Sequence, residues 1–182
     1  MAVTGSSLGY IAIDEADGLF RGASLVVDFR GIPMDFRYTD PVRPSRLERI
    51  LYGNALDVYL REELILESLI GAVEVKPTLW ICREPDLVAP LRSQTKGKSL
   101  FLSSSSRSPM EAVGEVENLG ESGVYMVQAD SVSAPLRVAF PEQTREDEVR
   151  QIAGILVEAA RTMELLEPFG RIQKALTSLA EE

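Results

Sequence analysis

Residues 23–38 read ASLVVDFRGIPMDFRY, and the fold follows from how that stretch alternates. Leu25, Val27 and Phe29 alternate with Ser24, Val26 and Asp28. Ile32, Met34, Phe36 and Tyr38 alternate with Pro33, Asp35 and Arg37. A two-residue turn at Arg30-Gly31 pairs 29 with 32, 27 with 34 and 25 with 36. That register puts every large apolar side chain except Val26 on one face, so turn length and alternation agree on a hairpin. Pro33 has no N–H and suits a turn-adjacent or edge position.

Upstream, residues 8–13 (LGYIAI) read as a strand closed by an Asp17-Gly18 turn. Downstream, Pro41 and Pro44 stop the sheet, and Ser45 with Glu48 spells a capping box for a short helix to Tyr52. Gly53 ends it, and Asn54 opens a second helix to about Ile70. Its apolar residues point almost all round, so it is covered from more than one side. A strand over 77–83, a short helix over 85–92 and a strand from Leu100 follow, in an order that suits parallel neighbours. Residues 103–108 are a polar loop, and 109–121 match no pattern. Strands at 123–128 and 136–140 form a second hairpin. Thr144 caps a long helix to Leu166, and Pro168 starts a terminal helix. The whole is read as one α+β domain over 1–182: a mixed, mostly antiparallel sheet with an N-terminal hairpin or meander, helices mainly on one face, and a helical C-terminal element over 143–182. In element order alone, this is similar to profilin-like and roadblock-like modules.

Composition narrows the chemistry. The 182 residues hold 19 basic and 28 acidic side chains, a single cysteine and no histidine. Imidazole bases, histidine metal ligands, intrachain disulfides and multi-cysteine zinc sites are excluded. Ile13-Asp14-Glu15-Ala16-Asp17 spells a helicase-type acidic motif, and Gly97-Lys98-Ser99 spells half a phosphate loop. The glycine needed before that half-loop is Arg92, and a strand follows instead of a helix, so no P-loop results. Asp14, Glu15 and Asp17 read as a solvated turn. Cys82 reads as a buried strand residue. Asp28 or Asp35 beside Arg37 and Tyr38 is the only acid–base option and is equally a solvated strand face. No catalytic residue, metal ligand or cofactor is nominated.

The net charge of −9 divides into −3 over 1–40, +2 over 41–110 and −8 over 111–182. A chain this acidic is expected to avoid nucleic acid and anionic lipid. No run is long enough for a membrane helix, residues 1–7 carry no basic leader region, and the lone thiol suits the cytoplasm. Two readings remain. In the first, Phe169, Ile172, Leu176 and Leu179 form a stripe through which the protein associates with itself or a protein partner, as a non-enzymatic assembly module, a homodimer being one form. In the second, Arg43, Arg46 and Arg49 at a helix N-terminus, with Lys96, Lys98 and Arg107, hold a small phosphorylated or carboxylated ligand of a sensory domain.

Overall fold

In the computed structural model, which describes residues 6–182, β1 (Ser7–Ala16), β2 (Leu19–Asp28) and β3 (Pro33–Tyr38) form an antiparallel meander. Part of the stretch read as lacking a leader, residues 1–5, lies outside the described residues. The β1–β2 turn is Asp17-Gly18, both at positive φ (54° and 74°), the mirror-image turn that a right-handed ribbon favours. At the β2–β3 turn the Asp28 carboxylate accepts the amides of Arg30 and Ile32, and Gly31 takes φ 80°. Leu25 faces Phe36 as the alternation requires. A bulge between Val26 and Val27 then shifts the pairing, so Val27 faces Pro33 rather than residue 34.

The chain next forms α1 (Arg46–Tyr52), a 3-10 turn at Gly53–Ala55, α2 (Leu56–Val58), a π-helical stretch Tyr59–Leu66, and α3 (Glu67–Ala72). It returns as β4 (Leu79–Cys82), α4 (Val88–Thr95) and β5 (Ser99–Ser103), and continues through β6 (Val116–Asn118), β7 (Val124–Val127) and β8 (Leu136–Ala139). Two helices close it, α5 (Glu146–Ala160) and α6 (Glu167–Glu181). The sheet order is β3-β2-β1-β4-β5-β8-β7-β6. Only β1–β4 and β4–β5 are parallel; every other pair is antiparallel. This is the expected α+β class with a mixed sheet.

The helices cover both faces rather than mainly one. Leu8, Tyr10 and Ala12 of β1 pack with α5 and α6 in one core. Ile11 and Ile13 pack with residues 56–69, Leu87 and Leu91 in the other. Strand periodicity divides β1 between the two cores, and β4 (LWIC) is buried at every position because it has cover on both sides. Each fully buried Leu or Ile contributes roughly 1.5–3 kcal/mol of transfer free energy, so two cores on one central strand tie the layers together.

Phe169, Ile172 and Leu176 are 6%, 1% and 3% exposed and belong to the first core. The Phe169 ring meets Tyr10 edge-on at 5.1 Å, and the Tyr10 hydroxyl donates to the Leu165 carbonyl at 2.6 Å. The expected association stripe is therefore the inner face of α6. Leu179 alone lies partly open, at the end of the helix. The long helix expected to reach Leu166 ends at Ala160. Thr144 bonds the Pro141 carbonyl instead of capping it. Among the described residues no helix is long and apolar enough to cross a membrane.

Candidate functional site

The carboxyl ends of β1, β4 and β5 lie together at one end of the sheet, the position at which open sheets with parallel strands receive ligands. β1 outruns β4: their pairing stops at Ile11 and Cys82, and the rest of β1 overhangs. An amide on an overhanging strand needs an acceptor. The carboxylate of Glu84, which follows β4 by two residues, lies towards the Ile13 backbone there. The Glu84 side chain is 19% exposed, and its Oε2 is buried with no hydrogen-bond partner among the described residues. Burial pushes this carboxyl above its ordinary range, while the charges of Arg83 and Arg61 and backbone hydrogen bonds pull it down.

The consequence for stability has a definite sign. A carboxyl that titrates higher in the folded chain keeps its proton to a higher pH there than in the unfolded chain. Its contribution is complete below the unfolded value near 4.5 and is lost as pH rises through the folded value. Glu84→Gln removes that dependence. The difference in unfolding midpoint, variant minus wild type, is expected to be more positive at about pH 7 than at about pH 4. A difference that does not change with pH would rule this out.

Around Glu84 the charges are paired. Arg61 sits in the π-helical stretch, a local widening that often marks functional positions. Its Nη1 donates to Asp86 Oδ2 at 2.5 Å. Arg83 Nε lies 3.8 Å from Glu84 Oε1, and its guanidinium sits 5.9 Å from the centre of the Phe169 ring. On β1, Asp14 pairs with Arg21 at 3.2 Å, so the acidic motif 13–17 runs along a strand and into its turn. Cys82 points inward with its Sγ 3.4 Å from the Glu84 carbonyl. Burial raises its thiol, and the negative Glu84 and Asp86 add to that, so it stays a neutral hydrophobe. Beside the end of β5 lies a cavity of about 210 Å³, walled by Ser104, Ser105, Asp130 and Ser133 and by Met163 and Leu165 from the α5–α6 corner.

The nominated basic residues fall in three places. Arg43 Nη1 donates to the Asp17 carbonyl at 3.1 Å. A Cβ on Gly18 would lie 3.0 Å from Arg49 Nη2 and 3.6 Å from Arg43 Nη1, so both guanidinia gather over the β1–β2 turn. Arg46 is exposed one turn before Arg49. Arg43 and Arg49 thus lie at the carboxyl end of β1, the same end of the sheet as Glu84. Lys98 precedes Ser99, which is level with Trp80 and Gly9. Asp17 is eight residues further along, about 26 Å at the rise of a strand. Lys96 and Lys98 thus occupy the opposite end. Arg107 is elsewhere again, 3.5 Å from Glu117. At the start of α1, Ser45 Oγ accepts the Glu48 amide and Glu48 Oε2 accepts the Ser45 amide, so the capping box takes up two of the amides at this helix end.

No protein-family model matches the sequence, and no curated protein does. Solved structures do share the fold. The endonuclease V of Streptomyces avermitilis superposes with a TM-score of 0.62 at 14% identity, covering 97% of this chain and 83% of its own. The endonuclease V of Ciona intestinalis, in complex with a 23mer DNA containing an inosine followed by a ribo-adenosine, gives 0.59 at 11%, covering 98% and 88%. Human endonuclease V gives 0.50 at 10%, covering 96% and 87%. The fold is that of these enzymes rather than of profilin-like or roadblock-like modules. The likeness corrects the expectations of a non-enzymatic, self-associating module, of a small-ligand sensor and of a chain that avoids nucleic acid. A net charge of −9 sums over the whole molecule, whereas a binding surface is local. Arg43 and Arg49 gather at the turn that closes β1, Arg83 follows β4, and Arg61 is paired with Asp86 beyond it.

Proposed function

We propose that this chain is a nucleic-acid-binding protein built on the endonuclease V fold, holding its polymer across the carboxyl ends of β1 and β4. The observation that carries the reading is the match over almost the full length to endonucleases V, one of them solved with DNA bound. The local arginines support it. Arg43 and Arg49 at the β1–β2 turn, with the exposed Arg46 beside them at the start of α1, make the phosphate contacts that set affinity without reading sequence. Lys96, Lys98 and Arg107 lie outside the track. With one cysteine, buried at Cys82, the chain suits a reducing compartment such as the cytoplasm.

Fluorescence anisotropy tests the reading, with a labelled DNA duplex and its single strand, each with and without an inosine. Binding is expected to weaken steeply between about 50 and 200 mM salt. Replacing Arg43, Arg46 and Arg49 together with alanine should reduce the slope of log K against log salt by about 2 to 3, roughly one per lost phosphate contact. No binding at low salt to any of the four would refute the proposal. A slope untouched by the triple substitution would refute the placement of these arginines.

A further inference from the structure

Metal-assisted cleavage of phosphodiesters sets two cations about 3.5–4 Å apart and clamps both oxygens of the displacement. Hard divalent cations of that kind take oxygen ligands, chiefly carboxylates. Asp14, Glu84 and Asp86 surround the ends of β1 and β4, and each has an arginine beside it: Arg21 at 3.2 Å, Arg83 at 3.8 Å and Arg61 at 2.5 Å. Among the described residues no three of His, Cys, Asp and Glu stand close enough to share a metal. The positive charge at this end of the sheet belongs to the protein.

Arg83 is placed to use that charge. It is the first residue beyond β4, the central parallel strand. Its guanidinium rests on the Phe169 ring on one side and on the Glu84 charge at Nε, which fixes its plane. The side chain is 38% exposed, and its N–H groups meet no hydrogen-bond acceptor among the described residues. A half-open, oriented guanidinium with its Nη donors free matches the oxygens of a phosphate in a way that a lysine would not. We propose that the carboxyl end of β4 receives a phosphodiester of nucleic acid directly on the Arg83 guanidinium, with no divalent cation between them. This rests on the nucleic-acid reading above and adds to it the group that takes the phosphate.

The test compares DNA binding by the intact chain in EDTA and in millimolar Mg²⁺ at matched ionic strength. It adds the variants Arg83→Ala and Arg83→Lys, with the unfolding midpoint of each read alongside. The wild-type dissociation constant is expected to agree within about twofold between the two buffers. Arg83→Ala should weaken binding about tenfold and reduce the salt slope by about one, whereas Arg83→Lys should keep the slope and lose part of the affinity. Binding that requires Mg²⁺, Mg²⁺-dependent cleavage of the labelled strand, or wild-type binding by a folded Arg83→Ala protein would overturn the inference and leave the nucleic-acid reading standing. Absence of wild-type binding in both buffers would overturn the nucleic-acid reading itself.

Discussion

Leu176→Asp is expected to unfold the protein or to cost at least about 4 kcal/mol, while Leu179→Asp, one turn later on α6, costs no more than about 1. Leu176 is 3% exposed within the core that α6 shares with β1 and β2. Its backbone carbonyl also accepts Arg21 Nη1 at 2.9 Å, which ties that turn of the helix to the sheet. A carboxylate at this position loses the leucine contacts and buries a charge, and the nearby Arg21 is already engaged by Asp14 and by the Leu176 carbonyl. Deleting a buried leucine side chain alone costs roughly 2–5 kcal/mol, and desolvating the charge adds to that. A small domain has only about 5–15 kcal/mol in total. Leu179 lies partly open beside Arg21, Tyr38 and Thr39, so an aspartate there can reach water. Chemical denaturation of the two variants separates the cases. Equal, small losses would mean that α6 does not hold the sheet, and its apolar stripe would need another partner.

That stripe shows how far periodicity reads. Phe169, Ile172 and Leu176 are evident in the sequence as one helical face, but the spacing does not say which surface covers it. The answer came from the sheet, whose even-numbered β1 residues present a second apolar face that only α5 and α6 can cover. The hairpin was more legible. Alternation fixed the pairing of Leu25 with Phe36, because both sides of that pair must face the same way. It failed one step on, where Pro33 offers no N–H and the ladder bulges. From sequence β1 ends at residue 13, because Asp14 and Glu15 look like a turn. They continue the strand because β2 pairs with them throughout, to Ala16 opposite Leu19. Residues 109–121 gave no pattern because their order depends on tertiary bonds. Gln128 accepts the Met110 amide on its side chain and the Gly114 amide on its carbonyl, leaving only a three-residue strand, β6.

The site was less legible than the fold, for a related reason. Arg61 meets Asp86 across 25 residues, and Glu84 lies towards the Ile13 backbone across 71. Neither pair has a local spacing to betray it. One signal was present: a fully apolar strand, Leu79–Cys82, is followed at once by Arg83-Glu84 and then Asp86. Charges directly beyond a buried parallel strand sit where such sheets bind ligands. The arginines at 43, 46 and 49 are visible around the start of α1, but spacing does not show that Arg43 and Arg49 reach back over the β1–β2 turn.

Gly9→Ala is expected to cost about 1–3 kcal/mol, an unusually large penalty for one methyl group, because that group has no space. A Cβ at Gly9 would lie 2.6 and 2.8 Å from Trp80 Cε3 and Cζ3 and 2.7 Å from Pro77 Cγ. Gly9 and Trp80 are register partners in the β1–β4 ladder, and Trp80 is 6% exposed. The indole therefore lies flat across the strand, and the glycine is what lets it do so. Backbone freedom is not the cause, since Gly9 does not have positive φ. The two positions must then be coupled. Trp80→Leu alone should destabilise the chain by emptying part of the second core, but in that background Gly9→Ala should cost much less than in the wild type. A double-mutant cycle read by denaturant midpoints measures the difference. A coupling of at least about 1 kcal/mol is expected. Strict additivity would mean that the methyl group is accommodated by a shift of β1 itself. That would be felt at once in the parallel pairing that carries Arg83 and Glu84 to the strand end.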